Sequence, residues 1–136
     1  MTDRAAYLTA LIGRPWSPAE SCWHLVRQVQ RDLFGRDLPE VEVPADPSWQ
    51  WIVDAFVGHP EEYARWRLIP ETSGIITAAG GALVLMSRAR RAAHIGVWLR
   101  SPAGVIHADP VAGVVLDSPV ALRARGWARL HFYEPA

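Results

Sequence analysis

The hydrophobic pattern of this chain changes its period once, at the glycine pair Gly80–Gly81. Before this pair, apolar residues recur every three to four positions, as on one face of a helix; after it, they alternate as in strands. Helices that precede a run of strands predict an α+β fold. We therefore expect N-terminal helices packed on an antiparallel sheet of about five or six strands.

Length and composition fit a single domain that spans residues 1–136. With 50% hydrophobic residues the chain can form a core, and it is too short for two ordinary domains. The formal net charge of zero gives no sign of nucleic-acid binding. No apolar run approaches the roughly 20 residues of a membrane helix, and the first seven residues do not resemble a secretory signal. We expect synthesis in the cytoplasm, with no membrane insertion and no nucleic-acid partner.

Two helices are predicted in the first 35 residues. Residues 3–12 have a short amphipathic pattern that Gly13 ends. Residues 21–35 carry an apolar stripe at helical spacing, and Gly35 ends this helix as a C-terminal cap would. The stripe consists of Cys22, Leu25, Val26, Val29 and Leu33.

The start of the second helix has two alternatives. Ser17–Glu20 matches a capping box with proline at the first helical position, which would place Cys22 in the second turn. If Ser21 is the cap instead, Cys22 opens the helix. The positive end of the helix dipole would then act on its thiol more strongly and favour the thiolate.

The remaining elements follow from turn residues and alternation. Residues 36–48 are rich in proline and acidic residues and are expected to form a loop, and residues 49–57 and 61–66 are expected to be helical. A short helix is predicted over residues 118–125, with Ser118 as its cap and Pro119 at its first position. Strands are predicted at residues 82–86, 93–99, 105–108, 114–116 and 127–133.

Cys22 is the only cysteine, which excludes a disulfide within the chain. Two histidines, His94 and His107, flank what the pattern predicts to be a β-hairpin. One cysteine with histidines elsewhere in the chain is typical of a cysteine nucleophile and its base. Each residue alone is more often a buried core residue. A zinc site formed by the three is a further alternative, although no paired ligand spacing supports it.

Several stretches, taken in order, also carry a family resemblance. Over about residues 10 to 133 the chain resembles the NlpC-like cysteine peptidases, which are papain-like cell-wall endopeptidases, and most closely the branch found in phage tails and gene-transfer agents. The matching stretches are Ile12–Trp16, Ser21–Arg27, Gly35–Pro39, Gly81–Met86, His94–Leu99, Val105–Ala108 and Gly113–Val114.

The resemblance implies a papain-like fold in which Cys22 is the nucleophile, His94 is the base and His107 orients the imidazole of His94. Trp16 and Ser21 are then expected to contact substrate, and no cofactor is expected. The implied substrates are peptide bonds in peptidoglycan stem peptides. The implied location is a phage-like virion tail, with tail proteins as partners, or delivery to the periplasm and cell wall.

The chain departs from the family pattern at four positions. Ser21 stands where an aspartate commonly precedes the cysteine, His24 replaces a small residue, Trp16 replaces a tyrosine and Gly81 replaces an aspartate. These differences favour an alternative, a structural phage-tail assembly component that keeps the fold with little or no activity. A thiol acyltransferase or amidase of the same superfamily is a third hypothesis.

The two histidines are 13 positions apart, where relatives commonly have one residue fewer. Because side chains alternate between the faces of a sheet, a slip of one residue would point the two rings apart. We place the extra residue in the turn at 100–104 and expect a bulge or a wide turn at Pro102 to keep the rings on one face.

Overall fold

The computed structural model describes residues 3–17, 21–38, 66–70, 75–88 and 92–135. Within these ranges the chain forms three helices and six strands. The helices are α1 (Arg4–Leu11), α2 (Cys22–Phe34) and α3 (Pro119–Ala124). The strands are β1 (Trp66–Ile69), β2 (Leu83–Arg88), β3 (Ala92–Arg100), β4 (Ala103–Asp109), β5 (Gly113–Asp117) and β6 (Trp127–Pro135).

All six strands belong to one antiparallel sheet with the order β1-β6-β2-β3-β4-β5. Strands β2 to β5 are a meander in which each strand pairs with the next along the chain. After β5 the chain passes through α3, and β6 returns to lie between β1 and β2. The predicted α+β class and the antiparallel sheet are confirmed.

The two faces of the sheet have separate hydrophobic cores. On the first, the α2 face, Leu85, Ile95 and Val97 pack with apolar residues of α1 and α2, including Cys22. On the second, the α3 face, Val84 and Trp98 pack with Leu122, Trp127 and Phe132. Because neighbouring residues of a strand point to opposite faces, each central strand contributes to both cores.

Helix α2 begins at Cys22, with Ser21 in extended conformation as its N-cap. Of the two starts considered above, the one at Ser21 is therefore correct, although the Ser21 side chain makes no capping hydrogen bond. The helix ends at Gly35, whose φ of 64° is left-handed and lets the N–H groups of Gly35 and Arg36 bond back to Arg31 and Gln30. The helix thus fixes the cysteine at its first turn.

The other predicted elements are largely confirmed. The Asp3 carboxylate caps α1, and the Ser118 hydroxyl caps α3, where Pro119 occupies the first position. Each predicted strand is present with two or three extra residues at its ends, since pairing in the sheet extends beyond the alternating apolar core. The first of them begins at Leu83 and not at Ala82 as predicted. None of the helices in the described ranges is long and apolar enough to cross a membrane.

One boundary was wrong. Trp66, predicted to end a helix, instead opens β1, where it pairs with Pro135 at the far end of β6. This pairing joins residues far apart in sequence, so tertiary contact overrides the local pattern. The helices expected over 49–57 and 61–65 lie outside the described residues, as does the predicted loop beyond residue 38.

Candidate active site

The β3–β4 hairpin places the two predicted histidines on the same face of the sheet. Val97 pairs with Ile106 and Trp98 with Val105, so the same register sets His107 opposite Gly96 and diagonally next to His94. The ladder runs without a register shift to a two-residue turn at Ser101–Pro102. The expected bulge or wide turn is therefore wrong: the ordinary register of a tight hairpin already brings the rings together.

Gly96 makes room for this diagonal pair. A β-carbon built at Gly96 would lie 2.6 Å from Val105 Cγ1, 2.8 Å from the Ile106 carbonyl oxygen and 3.1 Å from His107 Cβ. The first two distances are shorter than β-carbons tolerate, and the carbonyl belongs to a central strand that cannot move easily. Glycine is thus required at the position that faces His107.

A continuous hydrogen-bonded chain crosses three strands and ends on an arginine. His94 Nε2 lies 2.9 Å from His107 Nδ1, and His107 Nε2 lies 2.9 Å from Asp117 Oδ2. Arg125, just after α3, donates from Nε to Asp117 Oδ2 at 2.6 Å and from its terminal nitrogen to Oδ1 at 3.5 Å. His94, His107 and Asp117 are all buried, at 3%, 0% and 6% exposure. We call these four residues the His–His–Asp–Arg chain.

Trp127, the first residue of β6, covers the ring of His94. The two ring centroids lie 4.7 Å apart with the ring planes 15° from parallel, which is a stacked arrangement. The ring of His107 meets that of His94 edge-on, at 80°. Stacking on Trp127 and the hydrogen bond to His107 both hold the His94 ring in place.

Burial and hydrogen bonding together decide the protonation states in the His–His–Asp–Arg chain. Burial lowers the pKa of His107, against the opposing effects of the hydrogen bond and charge of Asp117, so His107 is neutral at neutral pH. The bond to Asp117 raises the pKa of Arg125, which stays charged. Asp109, at the end of β4, stays ionised as well: burial alone would raise its pKa, but the N–H groups of Ala112 and Val111 lower it overall.

Cys22 is 5% exposed and packs within the core of the α2 face. Burial raises the pKa of its thiol to about 11, although the backbone N–H groups of Ile95, Trp23 and Cys22 itself act to lower it. The thiolate expected from the helix N-terminus is therefore not the resting form. Desolvation of a buried sulfur outweighs the dipole and the three N–H groups.

The sulfur lies beside the backbone of His94, because the Ile95 N–H belongs to the peptide that joins these two residues. In β3 the N–H of Trp98 donates to Ala82 and its C=O accepts from Gly81, both on the side of β2. Residues an odd number of positions from Trp98, such as Ile95, therefore direct their N–H to the other side, towards β4. The β3–β4 register pairs end at Val97 and Ile106.

Cys22 packs with Ile95 and Ile106 in the core of the α2 face. His94, which stacks on Trp127, and its neighbour His107 point to the α3 face, so the structure joins the two rings to each other and places the sulfur on the opposite side of the β3–β4 pair.

Of the other residues singled out from the sequence, Trp16 is half-buried and packs against the core that contains Cys22, and Ser21 is half-buried at the start of α2. His24 is exposed. The change at Gly81 has a structural reason. Its φ is +92°, and a β-carbon there would lie 2.8 Å from the Phe34 ring, so an aspartate does not fit this backbone.

The zinc alternative has no support in the donor set. Both nitrogens of His107 are already engaged, by His94 and by Asp117. Within the described parts of the chain, no group of three or more histidine, cysteine or acidic residues is arranged to hold a metal ion.

Sequence reasoning missed Asp117, Arg125 and Trp127. Asp117 ends β5 and lies diagonally across from His107, since Val105 pairs with Asp117 and His107 with Val115. That relation depends on the pairing register and leaves no local signal in the sequence. Trp127 and Arg125 reach the site only because β6 returns to the middle of the sheet after α3.

Compared with known proteins, the chain matches no protein-family model and no curated sequence.

Proposed function

We propose that this protein is a cysteine peptidase of the NlpC-like, papain-like type, which hydrolyses peptide bonds in peptidoglycan stem peptides. The observation that carries the proposal is the His94–His107 hydrogen bond of 2.9 Å, next to the peptide whose N–H bonds to the Cys22 sulfur. A thiol, an imidazole and a group that orients this imidazole are the parts that acyl transfer by cysteine requires.

In the proposed reaction, His94 takes the thiol proton as the sulfur attacks the carbonyl carbon of the scissile peptide. Collapse of the tetrahedral intermediate breaks the C–N bond, and the imidazolium gives its proton to the leaving amine. Water then attacks the thioester, with His94 as base, and releases the new carboxylate and the free thiol. The N–H groups of Cys22 and Trp23, at the first turn of α2, are suited to stabilise the developing oxyanion.

A neutral resting thiol is compatible with this scheme. The raised pKa means that deprotonation and attack are coupled, since the buried thiolate is unfavourable until charge moves onto the substrate oxygen. Asp109 and Asp117 supply negative charge near the histidines, which favours the imidazolium formed on His94 during attack.

The burial of Cys22 also favours a second candidate from another class. A sulfur that is 5% exposed, with a thiol pKa of about 11, is what a structural component with the same fold and no turnover would have. Under this alternative the protein is an assembly component of a phage-like tail. Under the first proposal a tail would instead deliver the enzyme to the cell wall.

Digestion of purified peptidoglycan, with released fragments identified by mass, separates the two candidates. We expect the wild-type protein to release peptide fragments and Cys22→Ala, which keeps a small apolar side chain in the core, to release none. His24→Ala is the matched control, because His24 is exposed on the same helix turn and has no assigned role. Fragments from Cys22→Ala would exclude Cys22 as nucleophile, and no fragments from the folded wild type would favour the structural role.

A further inference from the structure

We propose that a groove on the α3 face is a binding site for a small aliphatic carboxylate, with the hydrocarbon chain in the groove and the carboxylate on Arg123. The groove has a volume of about 410 Å³ and lies between α3, β6 and the end of β1. We call it the α3–β6 groove. Because Cys22 packs on the opposite face of the sheet, this site is separate from the proposed peptidase reaction and does not depend on it.

Three elements form most of the groove walls. Helix α3 contributes Pro119 and Arg123, the end of β1 contributes residues 68–70, and β6 contributes four residues between 128 and 132. Eight of the ten lining residues are apolar, and the two polar ones are Arg123 and His131. Small-molecule sites in proteins have this size and this combination of many apolar groups with few polar ones.

The groove is open because β1 is shorter than β6. The pairing of these two strands ends at Ile69 and Phe132, so β1 does not cover the first five residues of β6. Within this uncovered part, the pairing of β6 with β2 shifts by one residue at Ala128, which is a lining residue. Such a bulge bends the strand, and bulges are frequent next to active sites.

Exposed apolar side chains surround the groove. Of the five large hydrophobic residues that are exposed in the described ranges, three either line the groove or follow or precede a lining residue in sequence. They are Leu68, Ile75 and Val120, at 51%, 64% and 72% exposure. Single exposed hydrophobic residues are ordinary, but several of them around a concave surface indicate a ligand-binding groove. A ligand with a hydrocarbon chain removes this apolar surface from water.

Arg123 supplies the charge of the groove. It is exposed in the last turn of α3, and among the residues that the structure describes it has no hydrogen bond or ion pair. Arg125, by contrast, is held by Asp117. The described lining residues include no aspartate or glutamate, so a bound carboxylate meets a guanidinium and no negative charge. A guanidinium binds a carboxylate through two parallel hydrogen bonds.

The same walls favour an aliphatic chain over an extended peptide. Each amide group of a peptide loses hydrogen bonds to water when it enters the groove, and eight of the ten lining side chains cannot replace them. A hydrocarbon chain brings no such groups. Its single polar end is the carboxylate, which Arg123 can bind.

The test is a titration of ¹⁵N-labelled full-length protein with octanoate, octanol and octylamine, followed by ¹H–¹⁵N correlation NMR of the main-chain amides. The three compounds share one hydrocarbon chain, and at neutral pH their head groups are negative, neutral and positive. We expect saturable shifts of the signals of α3 and of the first half of β6. The affinity should be highest for octanoate, lower for octanol and lowest for octylamine.

Two pairs of variants assign the site. Arg123→Gln should weaken octanoate binding by about 3- to 10-fold and leave octanol binding nearly unchanged, because only the charge is lost. Its control, Arg129→Gln, removes an exposed arginine of β6 that does not line the groove and should change neither affinity. Ala128→Phe fills the groove from an exposed position and should abolish binding of both compounds, whereas Ala124→Phe adds the same ring to α3 outside the walls and should preserve it.

Three results with the wild type would overturn the assignment: no saturable shifts with octanoate, shifts that map outside the groove, or octylamine bound as tightly as octanoate. Tighter binding of a short peptide with an apolar C-terminal residue would also overturn it, in favour of a peptide ligand. These titrations need no variant, so a substitution that fails to fold does not prevent a decision. Octanoate binding by a protein that releases no peptidoglycan fragments would keep this site and remove only the proposed peptidase.

Discussion

Alkylation of Cys22 by iodoacetamide tests the electrostatic description of the site most directly. This is the only cysteine in the chain, so every modified molecule reports on the same sulfur. Burial raises its pKa from 9.0 to about 11. At pH 8 the thiolate fraction is then about 10⁻³ in the folded protein and about 10⁻¹ in the unfolded chain, a ratio of about 100.

Nucleophilicity offsets part of that ratio. A thiolate of higher pKa is intrinsically more reactive, with a Brønsted coefficient of about 0.4–0.5. An increase of two pKa units therefore raises the reactivity of the thiolate itself by a factor of roughly 6–10. Ionisation alone therefore predicts that the folded protein reacts about 10- to 15-fold more slowly than the unfolded chain at pH 8. The 5% exposure of the residue lowers the rate further by restricting access.

The measurement is the pseudo-first-order rate of mass increase between pH 7 and 11, in buffer and in concentrated urea. In urea the rate should level off above about pH 9, whereas in the folded protein it should still rise at pH 10. A rate in buffer that is equal to or above the rate in urea would refute the reasoning. So would a plateau near neutral pH, because it would mean that thiolate and imidazolium already exist as a pair.

Two further predictions concern glycines and are measured by urea unfolding. Gly96→Ala should lower the free energy of unfolding by about 1–3 kcal/mol, because the added β-carbon would lie 2.8 Å from the β4 backbone. Its control is Gly80→Ala, whose β-carbon would have no atom nearer than 3.8 Å and should change the free energy of unfolding by less than about 0.5 kcal/mol. Gly81→Asp combines a positive φ with the Phe34 contact and should lower it by about 2–4 kcal/mol. Gly13→Asp, with a positive φ in open space, should lower it by about 1–2 kcal/mol. Equal stability within either pair would contradict the packing argument.

The helices and strands of the described ranges could be predicted because their signals are local. The stripe from Cys22 to Leu33 gave α2, and alternation after Gly81 gave the positions of β2 to β6. Helix caps could be predicted for the same reason, because a single residue decides how the unpaired backbone groups at a helix end are hydrogen-bonded. The Ser118 hydroxyl does this at the start of α3, and the left-handed backbone of Gly35 does it at the end of α2. The Trp66 boundary was wrong because its partner, Pro135, is remote in sequence.

The candidate site could be predicted only in part. Cys22, His94 and His107 were identified from residue type and order, and two of them are hydrogen-bonded to each other. Asp117 and Trp127 were not identified, because a diagonal neighbour and a stacked ring follow from register and strand order. The protonation of the thiol was predicted in the wrong direction, since a helix N-terminus is visible in sequence and burial is not.

The sequence by itself determined the order of helices and strands, the place of the cysteine at the start of α2 and the presence of two histidines on one hairpin. These depend on interactions within a window of a few residues, where spacing, caps and turns fix the backbone. Only the tertiary structure decided that Asp117 and Arg125 continue the hydrogen bonds of the histidine pair and that Trp127 stacks on His94. It also decided that the Cys22 sulfur is buried away from water. Those features are set by the register and packing of segments that are distant along the chain, and electrostatics depends on such distances and on the exclusion of water.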